Sequence, residues 1–400
     1  MKITLISHAI PYPPVHGGRI DIWRRIKAFA NSGVKLQLIY WSHHSPKPDE
    51  LAEIEKYTQQ LCLIPFRRTP TAIARRIIDL FSYPLDVTSR ILRGNELTGL
   101  RAQVESFNPD LIFLDGIQAG IVANDLSNTL NLPIVTRSHN IEHLYQKRLL
   151  GAAKGWKKLK KRLCLTNLEN YEEDILRKSV LFYDISIDDL KYWQEKGLTN
   201  GRYLPPLIEI TANNPSEQYN NSIDSNLIYD VVFLGSLSTD NNVAGIVWFL
   251  TKVTPLIREQ LTSVKILIAG LNPINKIKQL CNETEGVELK INPQSSSEIY
   301  SSGRVLINPV SAGSGVNIKS IEMLVSRRPI ISRSQGISGL PEEIKQYFIV
   351  ADEAQSFADE IVKCLSTHPK TNNIEPDLLN SFFGPQAINN VVSEFKSILL

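Results

Sequence analysis

Cysteine is scarce: Cys62, Cys164, Cys281 and Cys364 stand far apart in 400 residues. Their spacing offers neither a disulfide framework nor a zinc site, so a reducing compartment is expected. A large charge of one sign is also missing. The formal net charge is +3, too small an excess to imply a nucleic-acid partner. No stretch of eighteen apolar residues occurs, so no segment is expected to cross a membrane. The opening residues, Met1 to His8, carry one lysine and an apolar run too short for a signal peptide. A cytoplasmic protein is expected, either soluble or peripheral at the inner face of the membrane. Gly-x-Gly-x-x-Gly is absent, which removes the common dinucleotide fingerprint. His139 and His143 stand four apart, but a His-Glu-x-x-His zinc helix needs its glutamate directly after the first histidine. Here Glu142 is three residues on, so no metal site is expected.

What is present reads as a globular α/β chain. Hydrophobic residues make up 42% and charged residues 21%, and 400 residues exceed the usual size of one core. Two domains follow. Strand-like runs fall in two sets. Ile3–Ser7, Leu36–Tyr40, Leu61–Ile64, Leu111–Leu114, Ile134–Thr136 and Val180–Tyr183 make the first. Val231–Leu234, Val264–Ala269, Val287–Ile291, Val305–Asn308, Ile330–Ser332 and Phe348–Val350 make the second. Helical patterns alternate with them, among them Asp21–Asn31, Asn241–Glu259 and Glu353–Leu365, which argues for parallel sheets covered by helices. The expected division is a domain over 1–208, a linker over 209–228 and a second domain over 229–384. A helix over 385–400 is expected to return to the first domain, because Ile388, Val391, Val392 and Phe395 need burial. Ligands in such sheets bind beyond the carboxyl ends of the strands, so two facing domains are expected to share one cleft.

The most informative stretch is Gly313-Ser314-Gly315-Val316-Asn317-Ile318-Lys319-Ser320-Ile321-Glu322. It follows the buried run Val305–Val310 and leads into a helix expected over Val316–Ser326. Backbone N–H groups and the helix dipole favour an anion at such a turn, and glycine allows close approach. Gly315, Lys319 and Glu322 are spaced for one helix face. Lys319 can meet a phosphate, and Glu322 can accept hydrogen bonds from sugar hydroxyls. Phosphate beside ribose means a nucleotide; a plain helix start with a surface Lys–Glu pair is the other reading of these residues alone.

Other loops follow the same logic. Gly17 and Gly18 open a helix after the proline-rich Pro11–Pro14. His139 follows the strand ending at Thr136, and reads as a histidine that touches substrate or as a structural one. Gly235 and Ser236 end the first strand of the second set, where they can reach a diphosphate or form a tight turn. Asp240 or Ser238 is expected to cap the helix that follows. Leu271–Pro273 and Asn292–Gln294 end two more strands, beside a nucleotide base on the cleft reading. Six of the first nine residues of Lys154–Leu165 are basic, with Trp156, Leu159 and Leu163 spaced for one apolar face. Arg67, Arg68, Arg75 and Arg76 surround Ile73, Ile77 and Ile78. Both patterns suit an anionic membrane surface, and both suit a solvated helix face.

Taken in order, these pieces resemble the retaining glycosyltransferases of family 4, whose GT-B fold sets two Rossmann-like doubly wound domains across a cleft. The resemblance covers nearly the whole chain. It rests on Pro13–Gly18, His139-Asn140-Ile141-Glu142, Phe233-Leu234-Gly235-Ser236, the run at 313–322, and Arg328-Pro329-Ile330-Ile331. It implies transfer of a sugar from a nucleotide diphosphate sugar to an acceptor hydroxyl, with retention. The basic clusters of the first domain point to a glycan or lipid-linked glycan as acceptor, in cell-surface polysaccharide or glycoconjugate synthesis, and no cofactor is expected. Glu322 is the glutamate expected to hold the ribose. Gly17 and Gly18 are expected to line the diphosphate, and His139 to hydrogen-bond the transferred sugar. The chain departs at Ser314, where the family has a second glutamate, so backbone N–H groups of Gly315 and Val316 are left to share sugar recognition. It also lacks the family's basic pair after the first strand of the second domain, since 236–242 holds no base. Lys319 is then the remaining cation for the diphosphate. Family members of this fold generally need no metal, and a spaced Asp-x-Asp is missing: Asp188 and Asp189 are adjacent and read as a helix start. A nucleotide-sugar epimerase of the same architecture and a catalytically idle binding subunit are the alternatives.

Overall fold

A computed structural model describes residues 1–14, 17–152, 154–208, 227–313, 315–367 and 372–400. Val15, His16, Ser314 and 209–226 of the expected linker lie outside the described residues. Two compact units account for the rest. One comprises Met1–Leu207 with Gly384–Leu400, and the other Ile208–Phe383.

The first unit is built on strands β1 (Lys2–Ser7), β2 (Lys35–Ser42), β3 (Gln60–Pro65), β4 (Leu111–Asp115), β5 (Ile134–Ser138), β6 (Leu181–Asp184) and β7 (Gly201–Tyr203). They pair in parallel in the order β3-β2-β1-β4-β5-β6-β7. Alternation within the strands divides the core in two. Ile3, Leu5, Leu36, Leu38, Leu111 and Phe113 pack on one face, while Ile6, Ile39, Ile112 and Leu114 pack on the other. A strand apolar on both faces is what a helix-covered parallel sheet needs. Strand β7 has too little apolar pattern to be read from sequence. Its place follows from packing: a Cβ at Gly201 would lie 2.5 Å from the Phe182 ring.

Helix Pro385–Ile398 belongs to this unit and buries Ala387, Ile388, Val391, Val392 and Phe395. Phe395 is fully buried against Phe29 and Phe113, with ring centroids 6.1 and 6.0 Å away.

The second unit repeats the plan with β8 (Tyr229–Leu234), β9 (Ile266–Gly270), β10 (Val287–Ile291), β11 (Gly303–Asn308), β12 (Ile330–Ser332) and β13 (Ile349–Val350). Their order is β10-β9-β8-β11-β12-β13. Val231, Phe233, Ile266, Ile268, Val305 and Ile307 face one core, and Val232, Leu267 and Leu306 face the other. In each sheet the first strand lies between the second and the fourth of its own unit. The winding therefore reverses beside β1 and β8, opening crevices at their carboxyl ends.

Three boundaries differ from expectation. Asn241–Glu259 is not one regular helix: Asp240–Trp248 is α-helical, Phe249–Val253 widens to a π-turn, and Thr254–Gln260 resumes. Thr254 Oγ1 donates to the Phe249 carbonyl across that turn, 3.1 Å away. The residue at the N-cap position is Thr239, rather than Asp240 or Ser238. The helix after the glycine run is shorter than expected, Ile318–Val325. Gly315, with φ +64°, therefore belongs to the preceding turn and not to a shared helix face.

Candidate functional site

The second unit gathers most of the expected donor residues at its switch point. Strand β8 delivers Gly235 and Ser236, and helix Asp240–Trp248 returns Asn242 to them. Asn242 Nδ2 donates to the Ser236 carbonyl at 2.9 Å. That bond turns the amide oxygen towards Lys319, whose Nζ donates to it at 2.6 Å. The ammonium also sits 4.6 Å from the centroid of the Phe233 ring. Lys319 lies one residue into helix Ile318–Val325 and is 9% exposed. Burial lowers its pKa from the ordinary lysine value to about 7, because a desolvated ammonium is costly without a counter-charge. Sequence reading treated Lys319 as an accessible cation and passed over Asn242. An asparagine at a helix start has too many ordinary uses to stand out.

Glu322 follows Lys319 by three residues and is half-buried. Gly235, Gly270 and Asn292 form a line across the ends of β8, β9 and β10. The Asn292 amide donates to the Gly270 carbonyl at 2.9 Å, and Asn292 Oδ1 accepts from the Asn272 amide at 3.3 Å. At Gly270, φ is +157° and an added Cβ would stand 1.7 Å from the Gly235 carbonyl oxygen, so only glycine fits there. Gly313 lies near Asn241, 3.6 Å from a Cβ built on the glycine to the amide nitrogen. Val316 is buried. Ser314 lies outside the described residues.

The first unit assembles a different site where β1, β4 and β5 end. These strands bring His8, Asp115 and His139 together, and helix Gly17–Asn31 adds Asp21 and Arg25 one turn apart. Strand β5 extends two residues past Thr136, so Arg137 is a fully buried strand residue rather than part of a loop. Asp21 Oδ2 accepts from Arg25 Nη2 at 2.7 Å and from Arg137 Nη2 at 2.9 Å. Arg137 also donates to the Leu204 carbonyl. Asp115 lies 2.5 Å from His139 Nε2 and 3.4 Å from Arg25 Nε. Burial alone would raise the Asp115 pKa, but Arg25 and His139 outweigh it and hold the carboxyl below its usual range. An ionised Asp115 can only accept, so Nε2 carries the proton and donates. His139 Nδ1 stands 3.8 Å from Asp21 Oδ2, beyond hydrogen-bond reach, and that nitrogen can accept from a hydroxyl.

His8 turns one ring nitrogen to the Asp115 carbonyl, 3.4 Å away. Its pKa falls to about 4, first through burial and then through His139 and Arg90, so at neutral pH it is an uncharged imidazole. Sequence reading missed Asp21, Asp115 and His8. The available signal was positional: each stands at or just past a strand end, or in the first turn after Gly17 and Gly18.

His143 is not part of this constellation. Nδ1 lies 2.7 Å from Glu172 and Nε2 lies 3.0 Å from the Tyr192 hydroxyl. Glu172 also accepts from the backbone N–H groups of Glu142 and His143, closing the start of helix Glu142–Ala152. That carboxylate holds the helix N-terminus and is structural.

Two doubly wound units of this strand order are shared along the chain with solved structures of GT-B fold. Residues 229–367 match the model of a family described as glycosyl transferases group 1. Along most of its length the chain is similar to an uncharacterized 44.6 kDa protein in the cps region of Klebsiella pneumoniae. That protein is 25% identical over 387 residues, covering 90% of each. Among solved structures, Anabaena Alr3699/HepE in complex with UDP aligns with a TM-score of 0.65 and 12% identity, covering 99% of this chain and 100% of that one. Sucrose-phosphate synthase from Thermosynechococcus elongatus aligns with a TM-score of 0.66 and 16% identity, covering 100% and 99%.

Proposed function

We propose that the chain transfers a sugar from a nucleoside diphosphate sugar to an acceptor hydroxyl, with retention and without a metal ion, in cell-surface polysaccharide synthesis. The observation that carries this reading is Lys319, a desolvated cation at a helix start whose ammonium meets the Asn242 amide oxygen and the Phe233 ring. A diphosphate supplies the missing counter-charge. As the bond to the sugar breaks, negative charge grows on the leaving phosphate, where Lys319 and the helix dipole stabilise it without reorganising. Glu322 accepts from the ribose hydroxyls. Gly235, Ser236, Gly313, Gly315 and Val316 let backbone approach the phosphates, and Asn292 borders the base. His139 Nδ1 accepts from a hydroxyl of the transferred sugar, while Asp115 fixes the ring. Gly17 and Gly18 are assigned to the diphosphate.

Three findings support the class: the match over 229–367, the fold shared with a UDP-bound structure, and the relative from a cps region. A UDP-sugar is accordingly the first donor to try. Ser314 replaces the carboxylate that the resemblance expects, leaving donor-sugar choice to other groups. The test is a thermal-shift screen with UDP, GDP, ADP and CMP, followed by incubation of the matching sugar donor with membrane-extracted acceptors. A shift with one nucleotide, and a product of retained anomeric configuration, is the expected result. An epimerised free nucleotide sugar, or binding without turnover, would replace transfer with one of the alternative activities.

A further inference from the structure

Two short helices of the first unit expose apolar side chains. Helix Pro70–Asp79 buries none of its residues, and Ile73, Ile77 and Ile78 are 48, 58 and 67% exposed, with Phe81 just beyond at 82%. Helix Gly155–Leu165 exposes Trp156 at 76% and Leu159 at 45%. The fold makes them neighbours: both flank the short helix Leu85–Thr88, and Asn167 Nδ2 donates to the Phe81 carbonyl at 3.1 Å. Basic side chains surround both. The segments 67–82 and 154–165 hold ten Lys and Arg residues against one acid, Asp79, a net +9 in a chain whose total is +3. Everything outside these segments therefore sums to −6. Most of these cations lack a counter-charge. Arg67 pairs with Glu96, but Arg68, Arg75, Lys157, Lys158, Lys160 and Arg162 meet no carboxylate among the described residues. Beneath helix Pro70–Asp79 lies a cavity of about 110 Å³, lined in part by Arg75 and Arg76 and by two ion pairs, Arg67 with Glu96 and Arg93 with Asp79.

We propose that this face docks on an anionic lipid bilayer. Ile73, Ile77, Ile78, Phe81, Trp156 and Leu159 enter the interface between headgroups and acyl chains, and the arginines and lysines meet lipid phosphates. Apolar anchors ringed by unpaired cations match such a surface in both polarity and charge. An acidic protein offers the charge but not a reason for six exposed apolar side chains. The docking stands independently of the transfer reaction.

The experiment is co-sedimentation of the full chain with vesicles of phosphatidylcholine alone or mixed with phosphatidylglycerol. Binding is expected only to the mixed vesicles, and high salt should release it. Reversing Lys157→Glu, Lys158→Glu and Lys160→Glu together should weaken partitioning by at least about tenfold. Ile77→Ser with Phe81→Ser should weaken it severalfold. All five positions are exposed, so the variants should keep the parent melting temperature and nucleotide response, which separates failure here from failure of the transfer reading. Equal binding to both vesicle types, undiminished binding by both variants, or self-association of the chain with no vesicle binding would each overturn the proposal.

Discussion

In the first unit, Arg25 and Arg137 are fully buried and each meets a carboxylate: Asp21 bridges them and Asp115 faces Arg25. In the second unit, Lys319 is nearly as buried and meets an amide oxygen and the face of a ring. The first cluster carries its own counter-charges, whereas Lys319 meets no carboxylate among the described residues. The difference teaches what each can do. A compensated cluster holds its shape, and here it fixes His139 through Asp115. A buried cation without a counter-charge is poised for an anion from solution, and burial lowers its pKa to about 7.

Breaking one partner should separate the two regions sharply. Asp115→Ala leaves Arg25 facing one carboxylate fewer and frees His139, so a stability loss of about 3 kcal/mol or more is expected in chemical denaturation. Lys319→Met removes a buried charge that meets only an amide oxygen and a ring face among the described residues. Its melting temperature should hold or rise, while turnover should fall at least about tenfold. A large loss of stability in Lys319→Met would erase the contrast. Glu322→Ala should weaken nucleotide binding by about tenfold to a hundredfold, the worth of a charged hydrogen-bond acceptor, and isothermal titration reads that directly. Asn242→Ala is the mildest test: it removes the carbonyl that aims Lys319, and a severalfold rise in nucleotide Kd is expected.

The pH dependence carries a definite sign. The folded-state pKa of Lys319, about 7, lies below its ordinary 10.5, so unfolding takes up a proton between those values. Its contribution therefore makes the fold more stable as pH rises from about 7 towards 10.5, and Lys319→Met should lose that slope. Binding runs the other way. A diphosphate restores the ammonium, so binding takes up a proton above about pH 7 and weakens as pH rises.

Much of the fold was legible because a buried parallel strand is apolar on both faces. The runs at Leu111–Leu114 and Val305–Asn308 could scarcely be anything else. Gly201–Tyr203 was not legible, since its place depends on close contact with Phe182 rather than on any pattern of its own. The glycine run before Lys319 marked the second unit's site through backbone needs that glycine meets best. Whether Lys319 was a surface cation could not be read, because its burial depends on Phe233 and Asn242, about 80 residues away in sequence. The first unit's cluster was harder still. Asp21, Asp115 and Arg137 come from three separate elements: the sheet order sets β4 beside β5, and helix Gly17–Asn31 adds Asp21.

The most direct measurement is calorimetric titration of UDP at about pH 8 in two buffers of different ionisation enthalpy, with Lys319→Met alongside. If the lysine waits for an anion, the parent protein binds with net proton uptake, and the variant binds weakly or without it. Tight binding of UDP with no proton uptake, unchanged in Lys319→Met, would contradict the assignment of Lys319 to the diphosphate.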